Sequence, residues 1–98
     1  MYKVKQTLAF KTWIEGIRDV SVRIRLKRRL DKAEQGNLGD IKSVGEGIVE
    51  MREHFGSGWR MYYVTQGKTI IVMLGGGDKS TQAADIKAVK KLLADLGD

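Results

Sequence analysis

The 98-residue sequence predicts an α+β domain with the element order β-α-α-β-β-β-α, a mainly antiparallel sheet and helices packed on one face. Three observations lead there. Two apolar stripes at helical spacing follow one another near the N-terminus, three segments of strand character occupy the second half, and an amphipathic stretch closes the chain. A chain of this length has room for one modest core, so residues 1–98 are expected to form a single domain.

Each element has its own signal. Tyr2 to Gln6 alternates, with Tyr2 and Val4 against Lys3 and Lys5, which is a short strand. Phe10, Trp13, Ile14 and Ile17 fall at i, i+3, i+4 and i+7, one apolar stripe of a helix that Thr7 can cap. Asp19 can cap a second helix with the stripe Val22, Leu26, Leu30 and Ala33, ended by Gly36, so the two helices form an antiparallel hairpin. The stretch GNLGDIKSVGEG is turn-rich and reads as a loop. Ile48 to Phe55 and Trp59 to Val64 alternate on either side of a Gly-Ser-Gly turn. After the turn QGK, the apolar run TIIVML has the character of a central strand buried on both faces, and GGGDKST breaks it. Thr81 can cap a last helix with Ile86, Val89, Leu93 and Leu96 on one face.

The hairpin carries an unusual set of polar residues. Val49, Met51, Phe55, Trp59, Met61 and Tyr63 take the core parity. Arg52, His54, Arg60 and Tyr62 take the other, expected on the helix-free side of the sheet. Cross-strand neighbours on one face lie about 5 Å apart, so the four can form one cluster. Glu53 breaks the pattern by falling on the core parity. Either a bulge near the turn shifts the register, or Glu53 lies past the edge of the core.

Composition excludes several classes. An apolar fraction of 42% is ordinary for a folded domain. No run of 18 apolar residues is present, so no membrane span is expected. The N-terminal MYKVKQTLAF lacks the apolar core and cleavage site of a signal peptide. Cysteine is absent, which removes disulfide and thiol chemistry and suits a reducing cytoplasm. The net charge is +6, and +5 of it falls within the fifteen residues from Arg18 to Lys32. Such a field attracts phosphate backbones or acidic proteins. A simply solvated helix face would carry the same charges.

The chemistry open to the chain is narrow. One histidine, no cysteine and no paired carboxylates at ligand spacing speak against a metal site, and no cofactor motif stands out. GGGDKS resembles a phosphate loop only superficially, because G-x-x-x-x-G-K-[ST] requires glycine where Met73 and Asp78 stand. What remains is a cationic, aromatic-bearing face with Lys79 at its rim, and such a face suits RNA. Arginine forks bind a phosphate and stabilise charge developing on its oxygens. Tyrosine can stack on a splayed base. RNA carries its own nucleophile in the 2′-hydroxyl, so cleavage needs only a proton acceptor, cations and a proton donor. His54 is of a type that titrates in the right range. The plainer alternative, in which Arg52 pairs with Glu50 or Glu46 and Lys79 is a solvated loop residue, stays open at this point.

Four segments, FKTWIEGIRD, RIRLKRRLDKAEQGNLGD, GIVEMREHFGSGWRMYY and GGGDKSTQ, resemble in order and spacing the RelE/ParE toxin superfamily, nearest its HigB-like branch of addiction module killer proteins. The resemblance implies the toxin of a type II toxin–antitoxin system. Its activity would be metal-independent cleavage of mRNA in the ribosomal A site. Its partners would be the ribosome, the mRNA and a neutralising antitoxin held in a hetero-oligomer, with no membrane involved. By position, Arg60, Arg52 and Lys79 match the basic catalytic residues of the family; His54, from its own side-chain chemistry rather than from the resemblance, is the candidate general acid or base. Tyr62 and the second-helix residues Arg23, Lys27 and Arg28 would contact RNA. Relatives of the ParE type share the fold and inhibit DNA gyrase through protein contacts, and a non-catalytic relative would only bind its antitoxin.

Overall fold

A computed structural model describes residues 1–96. Gly97 and Asp98, the end of the expected 1–98 domain, lie outside the described residues. The chain runs through β1 (Lys3–Gln6), α1 (Leu8–Glu15), α2 (Val20–Glu34), β2 (Ile41–Gly45), β3 (Ile48–Arg52), β4 (Trp59–Gln66), β5 (Ile70–Asp78) and α3 (Gln82–Leu96), with a 3-10 turn at Lys79–Thr81 leading into α3. The sheet has five strands in the order β1-β5-β4-β3-β2. Among the described residues β1–β5 is the one parallel pair, and the other pairs are antiparallel. The α+β class and the mainly antiparallel sheet are as the sequence predicts.

Local chemistry starts both early helices. The Thr7 hydroxyl accepts from Phe10 N at 3.2 Å and donates to Met73 O at 2.9 Å, so one side chain caps α1 and fastens it to β5. Asp19 accepts from Ser21 N at 2.9 Å and caps α2. Gly36, at φ +94, ends the helix in the left-handed region.

The structure departs from the sequence reading in three places. The first is β2, which lies within the stretch read as a loop. Its five residues pair antiparallel with β3, Ile41 opposite Met51 and Lys42 opposite Glu50. As an edge strand with mostly exposed side chains, it is held by the backbone ladder rather than by an apolar pattern.

The second is β5, which continues through Gly75, Gly76 and Gly77 to Asp78 instead of ending at Leu74. These glycines make room for helices rather than for a turn. A Cβ on Gly76 would fall 2.4 Å from the Trp13 ring, and one on Gly77 would fall 1.8 Å from Asp85 Oδ2. Met73 faces Tyr63 and Gly75 faces Tyr62, so Leu74 is the extra residue of a bulge.

The third is the placement of α3. Phe10 and Ile14 of α1 and Leu26, Leu30 and Ala33 of α2 pack with Met51, Met61, Tyr63, Ile71 and Met73 on one face. Val89 of α3, with Ile86, Leu92 and Leu93, packs on Ile48, Tyr62 and Leu74 on the other. The side expected to be helix-free is therefore covered. The physical reason is the two-sided apolar character of TIIVML, whose Val72 and Leu74 need a second layer. Leu96, expected on the packed stripe of α3, is exposed.

Glu53 does not mark a bulge. β3 ends at Arg52 with its register to β4 unbroken, and the Glu53 side chain reaches Arg29 Nη1 at 3.3 Å.

Candidate functional site

The β3–β4 hairpin brings Arg52 and Arg60 directly opposite each other. Gly56 and Gly58, both at positive φ, shape the loop, which Gly58 N closes by donating to Phe55 O at 3.0 Å. Directly opposed residues share a face, so both guanidinium groups leave the sheet on the α3 side. Each meets a different carboxylate there. Arg52 Nη2 lies 3.0 Å from Asp40 Oδ1, and Arg60 Nε lies 3.8 Å from Glu50 Oε1. Neither Glu50 nor Glu46 is the partner of Arg52; Glu46 pairs with Lys90 at 3.4 Å.

His54 stands just past the end of β3 and is 66% exposed. Its Nε2 lies 2.6 Å from Asp40 Oδ2. An ionised carboxylate only accepts, so Nε2 carries the proton and Nδ1 is the nitrogen left to take one. Hydrogen bonds from His54 and then from Arg52 hold the Asp40 carboxyl at about 2, well below its usual value.

Asp40 is a site residue that the sequence reading passed over, because it sits in the apparent loop before β2. Its placement comes from α2. The buried Arg29 donates to the backbone oxygens of Leu38 at 3.0 Å, Asp40 at 2.8 Å and Arg52 at 2.9 Å. Gly39, at φ +68, lets the guanidinium pass, since a Cβ there would lie 2.8 Å from it. One buried arginine thus binds the Asp40 loop to the end of β3.

Arg60 lies deeper, at 7% exposure, beside a fully buried Glu50. Lys79 is exposed in the turn before α3, where its N–H donates to Ser57 O at 3.4 Å. A Cβ on Gly58 would lie 3.3 Å from Lys79 Cβ and 3.9 Å from Arg60 Nη1, so the two cations border the same glycine. Asp78 starts that turn by accepting from Ser80 N at 2.9 Å, and hydrogen bonds from Ser80 and Ser57 hold its carboxyl below the usual range.

Tyr62 is the residue that the structure removes from the expected cluster. It is 0% exposed, packed beneath Val89 of α3, and cannot stack on a base in this arrangement. Burial first, and the Glu50 carboxylate next, raise its phenol well above the usual value.

The second-helix residues divide. Lys27 Nζ is 2.7 Å from Glu15 Oε1, and Arg23 Nη1 donates to Glu15 O at 3.3 Å, so both lean toward α1. Arg28 instead lines a shallow recess with Arg25, Arg29, Lys32 and Glu53. Arg25 lies 3.8 Å above the Phe55 ring. The structure therefore joins Arg52 with His54 through Asp40, Arg52 with Arg60 by register, and Arg60 with Lys79 at Gly58. It leaves Tyr62, Arg23, Lys27 and Arg28 elsewhere. Among the described residues no group of three or more His, Asp or Glu side chains could hold a metal ion, and no helix is long and apolar enough to cross a membrane.

Residues 18–95, from the turn before α2 to the end of α3, match the family model "Phage derived protein Gp49-like (DUF891)". An "Uncharacterized protein" of Haemophilus influenzae is 40% identical over 95 residues, covering 97% of this chain and 96% of its own. No solved structure matches the chain significantly.

Proposed function

From the premise that this chain belongs to the phage-derived Gp49-like family, a family associated with toxin–antitoxin systems, we propose that it is the toxin of a type II pair and a metal-independent endoribonuclease of the HigB-like kind. Its target in this reading is mRNA in the ribosomal A site, in the cytoplasm, and its antitoxin silences it in a hetero-oligomer.

One observation carries the reading. Arg52 and Arg60 face each other on adjacent strands, with Lys79 bordering the same glycine as Arg60. In this reading the three cationic side chains, each from the end of a strand, serve one edge of the hairpin and meet a phosphodiester there. In this reading His54 Nδ1 takes the proton of the RNA 2′-hydroxyl as its oxygen attacks phosphorus. The P–O5′ bond then breaks, the departing 5′-oxygen takes a proton from Lys79 or water, and a 2′,3′-cyclic phosphate remains. Arg28, with Arg25 and Lys32, offers a separate basic surface for ribosomal RNA.

A second reading has one observation on its side. Asp40 and Glu50 neutralise Arg52 and Arg60 in place. Such a surface also suits a protein partner, as in a ParE-like gyrase inhibitor or a non-catalytic antitoxin binder. Induced expression in growing cells separates the two. Arg60→Lys keeps a charge beside Glu50 but loses the bidentate fork, and Lys79→Ala removes an exposed cation. The ribonuclease reading expects both to abolish growth arrest while antitoxin binding persists. Arrest that survives both substitutions contradicts the assigned site.

A further inference from the structure

We propose that Glu50 is a positioning residue for Arg60, aiming the outer edge of its guanidinium at the rim of the hairpin; this rests on the ribonuclease reading above. Glu50 lies in the middle of β3, 0% exposed, directly opposite Tyr62. A carboxylate withdrawn from water loses its hydration, and a buried ion pair returns little net stability for that loss. Packing therefore does not account for an acidic residue here, where an apolar side chain would fill the same space.

The two Glu50 oxygens face different groups. Oε2 accepts from Gln82 Nε2 at 2.8 Å, which ties the carboxylate to the first residue of α3. Oε1 faces Arg60 Nε at 3.8 Å, and both atoms are buried without a hydrogen-bond partner. The inner edge of Arg60 is thus drawn inward by charge. Its outer edge lies the other way, where Nη1 donates to Trp59 O at 3.4 Å and borders Gly58 beside Lys79. An arginine set with Nε inward and its Nη groups at the rim presents a fork to a phosphate oxygen pair.

The chain of contacts runs from α3 through Gln82 and Glu50 to Arg60, and Lys79 sits in the turn that leads into the same helix. Seating α3 on the sheet therefore places two of the three cations together. Its loss would leave Arg60 free to rotate, and a displacement near 1 Å in a catalytic group costs on the order of 100-fold in rate.

The test follows the Arg60 Nε–Hε cross-peak in 15N-labelled protein, beside single-turnover RNA cleavage, for wild type, Glu50→Gln and Gln82→Ala. Glu50→Gln is expected to move the cross-peak and to lower the cleavage rate about 100-fold with RNA affinity little changed. Gln82→Ala should move the same peak less and slow cleavage less; it leaves the Glu50–Arg60 pair in place, so it decides the matter if Glu50→Gln does not fold. A cross-peak unmoved in a folded variant overturns the proposal, and so does a moved peak with wild-type cleavage. If wild type cleaves nothing while the peak moves, the ribonuclease reading falls, and the role of Glu50 in cleavage falls with it, while its hold on Arg60 stands.

Discussion

Asp40 bridges Arg52 and His54, one carboxylate oxygen to each, at 3.0 Å and 2.6 Å. The loop before β2 is thereby locked to the end of β3, and the imidazole is held beside the arginine pair. The sign of its pH dependence follows from the carboxyl being depressed from 3.8 to about 2 in the folded state. Its contribution to stability is fully present above the unfolded value and is lost as pH falls through the folded one. Acid titration of stability should therefore show a loss between about pH 4 and pH 2 that is smaller in Asp40→Asn, the remainder coming from Glu15, Asp19 and Asp78, whose carboxyls are also lowered. Equal acid sensitivity in the two proteins would contradict the bridge.

Arg29 is expected to matter more to folding than any other residue of the basic run. Its removal strands three backbone carbonyls and Glu53. Arg29→Ala should lower the free energy of unfolding by about 3 kcal/mol in a denaturant titration, whereas the exposed Arg28→Ala should change it by less than about 0.5 kcal/mol. Similar costs for the two would refute the distinction.

Gly76 tests the packing of α1 on β5. Gly76→Ala drives a methyl into the Trp13 ring. A loss of about 1–3 kcal/mol and a changed tryptophan emission are expected. An unchanged spectrum would place Trp13 elsewhere.

Tyr62 is expected to behave as a core residue. Its hydroxyl is buried without a hydrogen bond, so Tyr62→Phe should leave the melting temperature unchanged or raise it. In a spectrophotometric titration its phenol should ionise later than the ordinary tyrosine range. A large loss of stability in Tyr62→Phe would instead show that the hydroxyl is held by the Glu50 carboxylate directly opposite it.

Much of this was legible along the chain because the signals are local. Thr7 and Asp19 announce their helices within three residues, and the Gly-Ser-Gly turn with strict alternation sets Arg52 against Arg60. The Asp40 bridge was not legible, because its partners lie 12 and 14 residues away and meet only through the β2–β3 ladder. That ladder is itself hidden, since β2 lacks an apolar face. Tyr62 was misread for a related reason: alternation gives the face of a residue but not what covers it. The cover was foreshadowed only by TIIVML, whose two-sided apolar run required α3 on the second face.

The central claim, that the Arg52–Arg60–Lys79 edge cleaves mRNA on the ribosome, is tested most directly in a purified translation reaction. A defined mRNA would be mapped by primer extension with and without ribosomes, using wild type and Lys79→Ala. New 5′ ends within codons, seen only with ribosomes and lost in Lys79→Ala, are the predicted result. No new ends under any condition would contradict it and leave a protein-binding role for the same surface.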